Sequence, residues 1–184
     1  ISGFLMAMVL HNKYDSPIKF YNSRLLRLLP VYYCVLFLSI LISVISYINT
    51  GDAFLLGYFT GYRESIGIFG FCMLLVPQFS TLGLDLFGFI GIDTKGIFVI
   101  SETWKHVNGY QFLIVPQSWT LGIECWFYLL APWIVTKRKV VFVLLALSVV
   151  IQLAIENNLY YSNDDPWNRR FFPSELQFFL FGVI

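Results

Sequence analysis

The feature that most constrains the fold is a stretch of 24 residues without a charged side chain, residues 28–51. About 20 apolar residues let an α-helix cross the hydrocarbon core of a bilayer. A second uncharged stretch, residues 65–84, has 20 residues, although glycines and Pro77 interrupt it. The first stretch predicts a transmembrane helix over residues 31–49, and the second predicts a span with a less regular end.

The composition of the whole chain points the same way. Of the 184 residues, 58% are hydrophobic and 12% are charged, and the mean hydropathy is +0.71. Soluble domains carry about 25% charged residues, so we expect an integral membrane protein. A net charge of +1 gives no basis for nucleic-acid binding. The cysteines show no metal-ligand spacing, so no metal site is expected, and we interpret them as small hydrophobic side chains in helix packing: Cys34, Cys72 and Cys125.

The expected fold class is all-α, a polytopic bundle of transmembrane helices with about five to six full or partial spans. We expect one integral-membrane domain over residues 1–184. Both ends of the sequence lie within apolar runs. We therefore expect the domain to be incomplete at both ends, as in an internal fragment of a longer protein.

The segments before the first long span are predicted to be helical as well. Residues 1–10 are expected to end one span, and Asp15 or Ser16 is expected to cap a helix that begins at Pro17. This helix is expected to lie along the membrane surface. Pro30 is then expected to kink or restart it before the chain enters the membrane.

The second half of the chain is expected to alternate between polar segments and helices. Residues 85–105 mix glycine, aromatic and charged side chains and predict a loop or a re-entrant segment. Residues 140–155 predict another span, and residues 156–170 predict a polar connection. A last helix is expected to start near Pro173.

Two basic clusters bear on membrane topology. The loop around residue 17 has four basic residues and one acidic residue, and residues 137–139 are all basic. Cytoplasmic loops carry an excess of Lys and Arg, so both clusters are expected on the cytoplasmic side, with an even number of spans between them. Residues 54–92 must then contribute no span or two, whereas the apolar pattern indicates one, and the sequence leaves this open.

The stretch from Gln117 to Pro132 predicts a membrane helix with a single carboxylate, Glu124. A charged group at membrane depth is costly unless it faces protein, water or a partner, so it marks a candidate functional site. Gln117, Glu124 and Tyr128 fall on one face of a helix and form a polar stripe. The alternative is that Glu124 pairs with an arginine of another helix and only holds the bundle together.

Arg24 and Arg27 are three residues apart, so both guanidinium groups are expected to project to one side of their helix. Arginine is planar and always charged, and it engages phosphate oxygens in pairs. A phosphorylated cytoplasmic cosubstrate or an anionic lipid head group would suit such a pair. The alternative is an ordinary positive anchor on the cytoplasmic side.

The remaining polar candidates give weaker signals. Arg170 precedes a predicted helix start that has Glu175 in its first turn, where a carboxylate suits the helix dipole. A salt bridge from Arg170 to Glu175 or to Glu124 is one interpretation, and helix capping alone is the other.

His11 and His106 lack the second ligand at helical spacing that metal sites use, so we interpret them as solvated or interfacial.

Three motifs occur in order along the chain: Ile1-Ser-Gly-Phe-Leu-Met6, Ser23-Arg-Leu-Leu-Arg-Leu-Leu-Pro-Val-Tyr32 and Gln117-Ser-Trp-Thr-Leu-Gly-Ile-Glu-Cys-Trp-Phe-Tyr-Leu-Leu-Ala-Pro132. Together they resemble membrane-bound acyltransferase family 3, the O-acetylases of bacterial cell-surface sugars. Residues 172–182 also look like a later helix of that family, so the resemblance covers nearly the whole chain.

The resemblance implies a function. Members of the family transfer an acyl group, usually acetyl from cytoplasmic acetyl-CoA, to a carbohydrate hydroxyl at the bacterial inner (plasma) membrane. No bound cofactor is implied, since acyl-CoA is a cosubstrate. The implied acceptor is a surface glycan or a lipid-linked oligosaccharide.

The resemblance also implies site residues. Arg24 and Arg27 match the arginine motif, whose implied task is binding the acyl-CoA donor, and Glu124 is the catalytic candidate. A general-base histidine is implied upstream of these motifs, at a position that neither histidine of this sequence matches. The supporting candidates are Trp119, Tyr128, Gln117, Arg170 and Glu175.

Two other classes of function stay open from the residues alone. A carrier or flippase for a lipid-linked or anionic solute predicts internal repeats across a full-length chain, whereas the enzyme predicts the upstream histidine. A purely structural membrane subunit predicts that Arg24, Arg27 and Glu124 can be replaced at little cost.

Overall fold

The computed structural model describes residues 2–12, 16–93, 96–99, 107–157, 166–167 and 169–184. Helices dominate these residues, which confirms the expected helical class. The α-helices are α1 (Ser2–Asn12), α2 (Pro17–Thr50), α3 (Gly57–Gly61), α4 (Arg63–Ser80), α5 (Trp119–Ile134), α6 (Arg138–Glu156) and α7 (Phe172–Phe181). Three short strands, β1 (Ile90–Asp93), β2 (Gly96–Val99) and β3 (Val107–Asn108), form a sheet that was not predicted.

The chain divides into two compact units. Unit 1 comprises Ile1–Leu28 and Ile123–Ile184, and unit 2 comprises Leu29–Gly122. The long helix α2 and the helix α5 each contribute residues to both units.

Helix α2 begins at Pro17, as predicted. The backbone N–H of Lys19 donates to the Ser16 hydroxyl at 3.5 Å, so Ser16 caps the helix; Asp15 lies outside the described residues. The helix then continues for 34 residues through Pro30. A restart at Pro30 was therefore the wrong prediction, because the loss of one backbone N–H does not end α2, whereas the position of its first part along the membrane surface stays a prediction.

Two helices in the described part of the chain are long and apolar enough to cross a membrane, α2 and α6. Only 17% of the most apolar window of each is buried, so most residues of these windows are not covered by the described part of the chain. Helix α5 has 16 residues, or about 24 Å, which is shorter than the hydrocarbon core of about 30 Å. The predicted helix around Glu124 is confirmed, whereas the expected five to six spans are not.

Residues 54–80 form a third candidate of a different kind. The segments Phe54–Gly61 and Arg63–Ser80 are bent by 110° relative to each other, as in a broken span or a re-entrant loop. Helix α4 contains a further break at Gly67, whose φ of 63° favours glycine. A re-entrant segment does not cross the membrane. If residues 54–80 are re-entrant, residues 54–92 contribute no span, which is one of the two numbers that two cytoplasmic basic clusters allow.

Two strands of the sheet, β1 and β2, lie in the segment of residues 85–105 that was predicted to be a loop or re-entrant, and β3 follows just after it. The strand order is β2-β1-β3, and both pairings are antiparallel. Ile92 on the central strand is fully buried and pairs with Ile97 on one side and Val107 on the other. Alternation is hard to recognise in strands of two to four residues, so no sequence pattern predicted them.

The core of unit 2 surrounds Phe112. This side chain is fully buried, and the Phe59 ring meets it edge-on at 5.2 Å between centroids. Gln78 of α4 fixes the backbone beside it, since its amide donates to the Phe112 carbonyl at 3.0 Å and accepts from the Ile114 N–H at 2.8 Å. The chain that leads into α5 is thereby held against α4.

In unit 1, α7 packs against α6 and α1. The buried hydroxyl of Ser148 on α6 donates to the Pro173 carbonyl at 2.6 Å and accepts from the Gln177 N–H at 2.9 Å. The last helix begins at Phe172, close to its predicted start. The largest buried side chains of unit 1 are Met6, Phe20, Phe127 and Leu180, from α1, α2, α5 and α7.

The cysteines only partly follow their predicted role. Cys125 is buried in α5, whereas Cys34 and Cys72 are exposed on α2 and α4. Packing inside the protein therefore accounts for Cys125 alone.

Candidate functional site

Four polar side chains from three helices of unit 1 form the candidate site. Ser2 begins α1, Arg24 lies in the first part of α2, and Glu124 and Tyr128 lie one turn apart on α5. The sequence predicted three of them, and the structure brings these three together.

The Glu124 carboxylate is partly buried. Its Oε1 accepts a hydrogen bond from the Ser2 hydroxyl at 3.1 Å, and the Tyr128 side chain hydrogen-bonds to the same carboxylate. An ionised carboxylate has about four lone-pair positions, so two hydroxyl donors leave capacity for a further donor. The site therefore holds an oriented acceptor of hydrogen bonds or protons.

Arg24 is the buried cation of the site, with 7% of its surface exposed. Its guanidinium lies over the Phe20 ring at 5.5 Å, and its Nε has no hydrogen-bond partner. No ion pair of Arg24 is seen among the described residues, although Arg24 and Glu124 both act electrostatically on Tyr128. A buried N–H without a partner costs about 1–3 kcal/mol, and an anionic ligand would remove that cost.

The Arg24–Phe20 segment is held on α5 by aromatic side chains. Phe20 is fully buried, and its ring meets Tyr128 edge-on at 6.5 Å between centroids. The Tyr21 hydroxyl donates to the Leu129 carbonyl at 3.0 Å. These contacts fix the position of the guanidinium relative to Tyr128 and Glu124.

Arg27 does not share the environment of Arg24. Its side chain is exposed, whereas Arg24 is buried. The structure thus distinguishes the two arginines by their burial, and the expectation that both project to one side and bind the donor stays a prediction.

The first residues of the Gln117–Pro132 motif belong to unit 2. Gln117 is exposed in a 3-10 turn before α5, so it does not extend the polar stripe as predicted. Trp119 packs against the core of unit 2. A Cβ on Gly122 would lie 2.8 Å from the backbone nitrogen of Asp85, so this glycine lets the two backbones approach closely. These residues place the start of α5.

Arg170 and Glu175 lie at the entry to α7. Ion pairs of Glu175 or Glu124 with an arginine are not seen in the described part of the chain, and the Arg170 N–H donates to the Pro166 carbonyl at 2.8 Å. Glu175 is partly buried in the first turn, and this burial raises its pKa. His106 lies outside the residues that the structure describes, and so does the side chain of His11.

Ser2 is the site residue that sequence reasoning missed. Its signal was present, because Ser2 belongs to the first of the three motifs. A serine in an apolar helix is common, however, and only the fold shows that its hydroxyl faces a carboxylate 122 positions away.

Comparisons with known proteins agree with the three motifs. The model of the acyltransferase 3 family, described as an acyltransferase domain, matches residues 1–184. No curated protein and no solved structure gives a significant match. The family match covers the full sequence, including the four residues of the candidate site, and the chain therefore belongs to the acyltransferase 3 family.

Proposed function

We propose that this chain is part of a membrane-bound O-acyltransferase of the bacterial inner membrane. It would move an acyl group, acetyl in the simplest case, from cytoplasmic acyl-CoA to a hydroxyl of a surface or lipid-linked carbohydrate. The observation that carries the proposal is the buried Arg24 beside Glu124 and Tyr128, in a chain that belongs to an acyltransferase family.

Arg24 is the proposed donor-binding residue. Coenzyme A carries several phosphate groups, and their oxygens would accept from the guanidinium, including the Nε–H that lacks a partner. Arg27 is exposed one turn after Arg24 on α2 and would add a second positive charge near the bound donor. Charge-assisted hydrogen bonds to a buried cation contribute more than contacts to an exposed one, so Arg24 should dominate donor affinity.

Glu124 is the proposed catalytic residue. In the reaction, the acceptor oxygen attacks the thioester carbonyl, a C–O ester bond forms and the C–S bond breaks. The hydroxyl proton passes to a base, and the coenzyme A thiolate takes up a proton. Glu124, with the Ser2 and Tyr128 hydroxyls already bound, would accept the acceptor's hydroxyl proton or orient the group that does.

The other predicted residues would support the site indirectly. Tyr128 would hold Glu124 from one turn away, whereas Gln117 and Trp119 would place the start of α5. Arg170 and Glu175 would shape the entry to α7.

Transfer of radiolabelled acetyl from acetyl-CoA into glycan, in membranes that contain the full-length protein, tests the proposal. We expect transfer by the wild type and loss of transfer in Arg24→Ala and Glu124→Gln at normal protein levels. Arg138→Ala is the matched control, since Arg138 is exposed at the start of α6. Wild-type membranes that incorporate no label would contradict the proposal and favour a carrier or flippase.

A further inference from the structure

The first two residues of α1 contact two different helices of unit 1. The Ser2 hydroxyl donates to Glu124 on α5 at 3.1 Å. Gly3 packs on α7 so closely that a Cβ at this position would overlap the carbonyl oxygen of Phe179. Helix α1 is thus fixed on α7 at the residue next to the hydroxyl that reaches Glu124.

A second glycine fixes the same pair of helices. A Cβ on Gly182, just after α7, would lie 2.9 Å from the backbone nitrogen of Phe4. Each segment therefore presents a glycine to the backbone of the other. With its backbone fixed in this way, Ser2 needs only the choice of one side-chain rotamer to direct its hydroxyl at the carboxylate.

We propose that Ser2 is a positioning residue for acyl transfer, whose hydroxyl holds the Glu124 carboxylate in one orientation. Gly3 sets the position of that hydroxyl by letting α1 pack on α7. The inference rests on the proposed function, in which Glu124 takes part in the chemical step.

The two hydroxyl donors to Glu124 differ in what they fix. Tyr128 lies on the same helix as Glu124, so its hydrogen bond orients the carboxylate only relative to α5. Ser2 comes from α1, so its hydrogen bond fixes the carboxylate relative to the other helices of unit 1. Arg24, the proposed donor-binding residue, also lies on a helix other than α5. The Ser2 contact would thus keep the Glu124 carboxylate in a fixed position relative to the bound donor.

Steady-state kinetics of the full-length protein with acetyl-CoA and glycan acceptor test this role. Ser2→Ala should lower kcat by about 10- to 100-fold, because small displacements of a reacting group are costly. The KM for acetyl-CoA should change by less than about twofold, since the donor contacts are left intact. Ser2→Thr keeps the hydroxyl and should retain most of the activity. Ser43→Ala is the matched control, because the buried Ser43 hydroxyl donates to Ser39 within its own helix.

A second measurement tests the contact without activity. In purified full-length protein, Ser2→Ala should lower the midpoint of thermal unfolding by about 2–4 °C, as expected for one partly buried hydrogen bond. In a Glu124→Leu background the same substitution should have no further effect, because the partner is gone.

The outcomes separate the two proposals. An active Ser2→Ala with unchanged kcat overturns the positioning role, as does a Ser2→Thr variant that is as inactive as Ser2→Ala. Equal thermal effects of Ser2→Ala with and without Glu124 also overturn it. A wild type that transfers no acetyl counts against the proposed function, and with it against a role of Ser2 in transfer.

Discussion

The guanidinium of Arg24 lies 5.5 Å from the centre of the Phe20 ring, one turn earlier on α2. Phe20 is fully buried, and its ring also meets Tyr128 edge-on. A cation over an aromatic face gains about 0.5–1 kcal/mol when exposed and about 2 kcal/mol when desolvated. The ring therefore both stabilises the cation and places it beside the hydrogen bond between Tyr128 and Glu124.

Phe20→Ala should lower the free energy of unfolding by about 3–5 kcal/mol, the usual cost of removing a buried phenylalanine. Thermal unfolding in detergent measures this effect. Phe37→Ala is the matched control on the same helix, because the Phe37 side chain is 65% exposed. Equal effects of the two substitutions would show that Phe20 does not pack as described.

Arg24→Ala should raise the KM for acetyl-CoA by about 10- to 100-fold, because it removes charge-assisted hydrogen bonds. Arg27→Ala should raise it by less than about threefold, since the Arg27 side chain is exposed and screened by salt. Donor saturation curves in full-length membranes measure both values. A larger effect at Arg27 would reverse the assignment of the donor-binding cation.

The sequence predicted the helices and most of the candidate site because both depend on local patterns. The uncharged stretch of residues 28–51 predicted α2, the apolar residues 140–155 predicted α6, and the motif around Glu124 predicted α5. The difference between Arg24 and Arg27 could not be predicted, since both fit the same arginine motif and only tertiary packing buries one of them. The contact of Ser2 with Glu124 joins residues 122 positions apart, and the local pattern of apolar and polar residues cannot predict such a contact.

Gly3→Ala should destabilise the protein by about 1–3 kcal/mol, the usual cost of overpacking. The added Cβ would overlap the Phe179 carbonyl, so α1 must move away from α7. Gly61→Ala is the control, because a Cβ there meets no atom within 4 Å. Thermal unfolding of the two variants measures the difference, and a Gly3→Ala protein as stable as Gly61→Ala would contradict the close packing of α1 on α7.

Glu175→Gln should make the protein more stable near neutral pH. Glu175 lies in the first turn of α7, outside the candidate spans, and burial raises its pKa above the ordinary 4.5. The folded state therefore binds the proton more tightly than the unfolded state, so the associated stability is present at low pH and is lost as the pH rises through the raised pKa. The advantage of the glutamine should thus vanish below about pH 4.

Thermal unfolding of wild type and Glu175→Gln across this pH range is the measurement. Glu64→Gln is the matched control, because Glu64 is also in the first turn of a helix but is exposed. A Glu175→Gln protein that is less stable than wild type at neutral pH would show that the carboxylate has a favourable ionic partner.

Gln78→Leu should lower the free energy of unfolding by about 2–4 kcal/mol, because the Ile114 N–H and the Phe112 carbonyl would lose a buried partner. Gln78→Glu should cost at least as much near neutral pH, since it would bury a carboxylate that cannot donate to the Phe112 carbonyl. Asn49→Ala removes an amide-to-carbonyl hydrogen bond of similar length at an exposed position of α2 and should have little effect. A Gln78→Leu protein that is as stable as the wild type in thermal unfolding would contradict these hydrogen bonds of Gln78. Because Gln78 holds the backbone that leads into α5, the destabilised variants should also lose acetyl transfer in proportion to the folded protein that remains.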